Sequence, residues 1–274
     1  MSKQYYALIS SLPDLSFNDK SVGHSIQSFK ELLLEQLDPS DYDLILLLFY
    51  PFDILNFVHT VKELDEPWDE RAALSKEEIE EGIRIPELLP EFFQNFILDQ
   101  EKGWEQQSEK ELLDGLTSAY LNFTRESDNN FIRQWVSFEQ NLKNLLIWLN
   151  ARKFKRDVKQ DILGENFEAD YLRQTEQGDL NLKAWDNAYK TVLTHYDNPD
   201  IALRELMIDQ MRWDYLIELE QEYYFDVERL YAYAIKLRIV GRNTRLTEKK
   251  GKQRLDDLLK EITENYSLPE TFTT

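Results

Sequence analysis

F-D-V-E-R-L-Y-A-Y-A-I-K-L-R-I-V-G-R-N-T-R-L, from Phe225 to Leu246, is the stretch that decides the fold. It is long enough for about six turns of helix. Val227, Leu230, Tyr231, Ala234 and Leu237 are its apolar face, and Ile235, Ile239 and Leu246 form a second stripe. Two stripes leave little polar circumference, which predicts a helix buried on most sides. Tyr233, Arg242 and Asn243 sit inside this segment. Polar and cationic groups on such a helix need partners within the fold or on another protein.

The rest of the chain follows the same period. Of 274 residues, 42% are hydrophobic and 13% aromatic, enough for a sizeable core, while eight Gly and eight Pro are few breakers for that length. Long apolar-periodic stretches with so few breakers predict an all-α, multi-helix protein. Helices are expected over 25–37, 40–50, 52–64, 104–125, 128–150, 180–196, 200–220, 225–248 and 252–265. Another is expected to start at Pro86, with Leu89, Phe92, Phe93, Phe96 and Ile97 on one side. Ser40 is a candidate N-cap and Pro51 a helix boundary. Asp65 to Gly82, acidic and interrupted by Pro67, reads as a loop with room for one helical turn, and Leu163 to Gly178 as a polar stretch with room for a short helix. Tyr5 to Ile9 fits a helix turn or a short strand equally well. The chain is treated as one body, 1–274, with sub-units 1–100, 101–198 and 199–274 as a first partition.

Absence of cysteine removes disulfides and thiolate metal sites and fits a reducing compartment. Met1 to Leu12 lacks the layout of a secretory leader, and the most apolar run, Leu44 to Phe49, is far short of the roughly 20 residues that cross a bilayer. The expected location is cytoplasmic. A formal charge of −20 disfavours nucleic acid or an anionic membrane as the main partner. The charge is uneven, because Lys236 to Arg254 holds eight basic residues and one acid. Lys236, Arg238, Arg242, Arg245, Lys249, Lys250 and Lys252 carry most of it. Either acidic neighbours in the chain neutralise this stretch or it docks an acidic partner.

A weak internal echo joins Phe52-Asp53-Ile54-Leu55-Asn56-Phe57-Val58 to Phe138-Glu139-Gln140-Asn141-Leu142-Lys143-Asn144-Leu145. Each has an aromatic-acidic step, asparagine (Asn56; Asn141 and Asn144) and an apolar run. Asn243 closes the last main helix in a comparable way, so helical units of roughly 90 residues would explain the three.

Catalytic patterns are missing. There is no Gly-x-Ser-x-Gly elbow and no Walker-type phosphate loop. His24, His59 and His195 lack helical ligand spacing, and Asp256-Asp257 has no third carboxylate beside it. The expectation is no catalytic residue, no cofactor and no metal, with the aromatic load used for helix packing.

Ala232-Tyr233, followed ten residues later by Asn243 within Arg242-Asn243-x-Arg245-Leu246, resembles the C-terminal helix of the C/d family of V/A-type rotary ATPase components. Asn141 to Lys153 is similar to that family's repeated pattern, and Phe52 to Val58 is a fainter instance. Tyr5 to Leu15 resembles more closely an uncharacterised bacterial family encoded among V-type ATPase genes. The chain departs from the C/d family in carrying Arg238 and Val240 where that family has acidic residues, and in being shorter. The resemblance implies a funnel of similar helical bundles that joins the central rotor shaft to the membrane proteolipid ring. It implies a non-catalytic component of proton or sodium transport, peripheral to the inner membrane through its complex. The alternative is a free-standing all-α adaptor or regulator unrelated to rotary motors.

Overall fold

The computed structural model describes residues 5–100, 103–175 and 187–245. Among these the protein is all-α, with twelve α-helices and no strand. In chain order they are α1 (Tyr6–Ser11), α2 (Ile26–Gln36), α3 (Pro39–Leu46), α4 (Tyr50–Val61), α5 (Lys76–Arg84) and α6 (Glu91–Leu98). There follow α7 (Glu109–Arg125), α8 (Asn130–Phe154), α9 (Phe167–Gln174), α10 (Asn187–His195), α11 (Ile201–Leu219) and α12, over 227–245. The opening aromatic run, ambiguous by period, is the helix α1.

Helix starts follow local chemistry. Ser75 and Ser108 each accept from the amide three residues on, and Glu78 and Glu111 reach back, so α5 and α7 both begin with a capping box. Asn129, Asn166 and Asp200 cap α8, α9 and α11 with side-chain oxygens. Several boundaries differ from expectation. Ser40 is not a cap: α3 starts at Pro39, with Asp38 at the N-cap position. The helix expected from 104 begins at Glu109, after a 3-10 turn over Trp104–Gln106. Pro51 does not break a helix but lies in the first turn of α4, where a missing N–H costs nothing. The acidic stretch expected to be loop contains α5, because its box nucleates a helix whose Ile79 is fully buried while the glutamates face outward. Pro86 starts only a 3-10 turn, and α6 begins after Pro90. The helix expected over 252–265 lies outside the described residues.

Packing pairs α4 with α7, α6 with α7, α7 with α8, α8 with α9 and α10 with α11. Gly115 lets α6 and α7 close up, since a Cβ there would lie 2.6 Å from the Phe96 ring. Aromatic rings fill the seams: Phe138 stacks on Tyr215 at 4.1 Å, and Phe57, Phe92, Phe93 and Trp104 form a cluster beside α4.

Helix α12 runs through the middle of this arrangement. Leu230, Tyr231, Ala232 and Val240 have no exposed surface, and Ala234, Ile235, Leu237 and Ile239 almost none. Burying side chains of this size stabilises by about 1.5–3 kcal/mol for each large one. The Tyr231 hydroxyl donates to the Asp41 carbonyl of α3 at 3.0 Å, and the Tyr233 ring lies 5.0 Å from Phe29 of α2. The Tyr5 amide donates to the Phe225 carbonyl at 2.8 Å, tying the first helix to the approach of the last. One hydrophobic core therefore spans all three sequence-level sub-units, from Tyr5 to Val240. No single helix among the described residues is long and apolar enough to cross a membrane.

Candidate functional site

Two loops are held by asparagines on the helices that precede them. On α4, Asn56 Nδ2 donates to the Asp69 carbonyl at 3.0 Å and its Oδ1 accepts from the Asp69 amide at 2.9 Å. On α8, Asn144 makes the same two bonds to Leu163, both at 2.9 Å. Three residues before each asparagine sits a second polar hook. Asp53 accepts from the amides of Ala73 and Leu74 at 2.9 and 2.7 Å, just before the cap of α5. Asn141 accepts from Asn166, the cap of α9, at 2.9 Å. Both hooks lie on the buried face, since an i, i+3 pair shares one side of a helix.

Asp53 has no exposed surface. Burial pushes its carboxyl up to about 7, against the two amides and the Lys30 charge that favour its ionised form. Lys30, itself buried, donates to the Ala72 carbonyl in the same loop. Its ammonium pKa is lowered, because burial outweighs Asp53. At the second loop Gly164 adopts φ +68, and a Cβ there would lie 2.4 Å from Gln140 Nε2, so glycine is required twice over.

A charged network joins α8, α11 and α12. Arg212 grips Glu139 with both prongs, Nε to Oε1 at 2.7 Å and an amino nitrogen to Oε2 at 3.0 Å. Asp209, 2% exposed, accepts from Arg212 at 3.0 Å and from Arg242 at 2.9 Å. Arg242 also meets Glu205. Burial works to raise the Glu139 carboxyl, but Arg212, with Arg238 and Arg242 behind it, holds it below its usual range. For Asp209 burial outweighs the two guanidiniums and the pKa is raised. On α12, Lys236 pairs with Glu220 and lies 5.3 Å over the Trp213 ring.

Beside this network is a cavity of about 410 Å³ between α4, α7, α8, α11 and α12. Its wall is apolar through residues such as Leu48, Phe52, Leu55, Trp135 and Val136. Arg238 enters it from α12. Its one hydrogen bond among the described residues runs to the Leu48 carbonyl at 3.3 Å, and its guanidinium lies 5.3 Å over the Phe52 ring. Arg71 covers the same ring at 4.1 Å and pairs with Asp69.

Among the described candidate residues, three are buried and most of the others are half-buried and engaged within the chain. Asn56, Asn141 and Asn144 fasten loops, Arg238 and Arg242 face the cavity and network, and Lys236 meets an intrachain acid. For this described half of the basic stretch, neutralisation within the chain accounts for much of the charge. Arg245 is exposed and donates to the Gly241 carbonyl at 3.2 Å, while Tyr233 and Asn243 are half-buried. Lys249, Lys250 and Lys252 lie outside the described residues. Sequence reasoning missed Lys30, Arg71, Asp209 and Arg212. Of these only Asp209 and Arg212, three apart on one helix, left a local signal. Among the described residues no group of three or more His, Asp or Glu side chains is placed to hold a metal ion.

The sequence profile of one family, described as "Protein of unknown function (DUF2764)", matches residues 1–266. No curated protein and no solved structure matches the chain.

Proposed function

We propose that this chain, which belongs to the DUF2764 family, is a non-catalytic, C/d-like component of a V/A-type rotary ATPase. In this reading it couples the central rotor shaft to the proteolipid ring during proton or sodium transport. It sits in the cytoplasm, held at the inner membrane through the complex. The observation that carries the reading is the repeated loop fastening, Asp53 with Asn56 and Asn141 with Asn144. Both members recur at the same offset along the chain, close to the roughly 90-residue unit that the sequence echo suggests. Internal repetition of helical units is what the resemblance to the C/d family implies. Ala232, Tyr233, Arg242, Asn243 and Arg245, which carry that resemblance, all lie on α12, the helix around which the core is built.

The mechanics suit the role. A coupling part must pass torque without yielding, and close-packed helices with loops pinned by paired hydrogen bonds deform little. In this role no bond is made or broken; the part works through surfaces at its two ends. Tagging the chain in its own cell, solubilising the membrane and identifying co-purifying proteins by mass tests the proposal. Shaft and ring proteins in stoichiometric amount are expected. Recovery of the chain with partners unrelated to a rotary motor would favour the adaptor reading instead.

A further inference from the structure

We propose that the cavity between α4, α7, α8, α11 and α12 is a binding site for a small organic anion, with an acidic head group on an apolar body. The charge of its wall points there. Five cations line it (Arg71, Lys143, Arg212, Arg238 and Arg242) against two carboxylates, Glu139 and Asp209. With Asp69, paired to Arg71, and Glu205, paired to Arg242, counted as well, five cations face four carboxylates, and even this small positive excess runs against a chain of −20.

Both carboxylates of the wall have guanidinium partners. Both oxygens of Glu139 are taken by the Arg212 fork; Arg212 and Arg242 share Oδ1 of Asp209, whose buried Oδ2 has no hydrogen-bond partner among the described residues, and Arg242 also pairs with Glu205. Arg71 has Asp69. That leaves Arg238 and Lys143 without an ion-pair partner among the described residues. Arg238 has five N–H donors in a rigid fork and always carries its charge. One long bond to a carbonyl and the face of Phe52 use little of that capacity. Arg212 and Arg71 add repulsion, and with burial as the larger cause they lower the Arg238 pKa. A guanidinium so placed is stabilised by an anion that accepts from its fork. Lys143, exposed on α8, lines the same cavity, and in this proposal its ammonium is the second donor to the head group.

The remaining wall sets the body of the ligand. Phe52, Leu55, Trp135 and Val136 offer apolar and aromatic surface, and about 410 Å³ lies within the range of pockets that hold a drug-sized molecule. A bare inorganic ion would leave that surface wet. The inference stands apart from the rotary reading, since a free-standing protein would carry the same pocket.

Anilinonaphthalene sulfonate is a suitable probe, with phenylnaphthylamine as its uncharged twin. Fluorescence titration of the full chain should give at least roughly tenfold tighter binding of the sulfonate, the scale of one charge-assisted hydrogen bond. Lys143→Ala and Arg238→Met should each remove most of that preference, with far-UV circular dichroism unchanged. If Arg238→Met fails to fold, Lys143→Ala, an exposed substitution, decides alone. Octanoate and phenyl phosphate as competitors then identify the head group, carboxylate or phosphate, by which displaces the probe. Equal affinity for the charged and uncharged probes, no loss of preference in Lys143→Ala, or displacement by neither competitor would overturn the proposal.

Discussion

Asn56 and Asn144 each hold a single loop residue by both of its backbone groups, Asp69 in one case and Leu163 in the other, with all four bonds between 2.9 and 3.0 Å. A side-chain amide offers one donor and one acceptor side by side, so it can mimic the edge of a strand and satisfy an isolated peptide unit. These loops leave α4 and α8 and must return to start α5 and α9. A backbone unit buried on such a path needs a partner, and the asparagine supplies it.

Asn144→Ala should lower unfolding free energy by about 1–3 kcal/mol, because Leu163 is buried and its amide and carbonyl would lose partners. Asn56→Ala should cost less, since Asp69 is more exposed and water can reach it. Urea denaturation of both variants measures this. Equal losses, or none in Asn144→Ala, would mean the loops are held by other contacts.

Acid stability should depend on Glu139. Its folded pKa lies below the unfolded value near 4.5, so the ionised pair stabilises the fold above that pH. The contribution is lost as pH falls through the folded pKa. Glu139→Gln should therefore be less stable than the native chain at pH 7, with the gap closing as pH falls through the lowered folded pKa. Melting curves across that range check it; a gap independent of pH would place the effect elsewhere.

Arg242 and Asp209 should behave as a coupled pair. Arg242→Met leaves a 2% exposed carboxylate with Arg212 alone, and breaking such a pair costs on the order of 3 kcal/mol. Adding Asp209→Leu should restore much of that loss, since the stranded charge is removed as well. A double-mutant cycle reads the coupling directly, and strictly additive losses would contradict it.

The all-α fold was legible because its strongest signal is local. The two stripes of α12 correctly place it inside the core, and Ser75 with Glu78 spells a capping box that the acidic run around it disguised. The asparagines 56, 141 and 144 stand out in the sequence, whereas their partners do not. Asp69 and Leu163 are bound through backbone groups, which every residue carries. The cavity was illegible for a different reason. Its wall comes from five helices and the loops between them, spread from Leu48 to Arg242, and no short window contains more than a fragment of it.

The basic residues beyond the described helix carry a separate test. Reversing Lys249, Lys250 and Lys252 to Glu should slow association with the rotary complex and leave the melting temperature unchanged, if they guide docking. Charges that steer encounter act over about 8–10 Å at ordinary ionic strength, so added salt should slow the native chain in the same way. A lower melting temperature with unaltered association would assign these lysines to the fold.

If this chain transmits rotation, coupled transport in membrane vesicles should depend on it. Vesicles from cells lacking the chain should hydrolyse ATP at their rotary heads yet fail to build an ion gradient. Adding the purified protein back should restore ATP-driven transport in proportion to the amount bound. Transport that is undiminished without the chain would contradict a role in transmitting rotation.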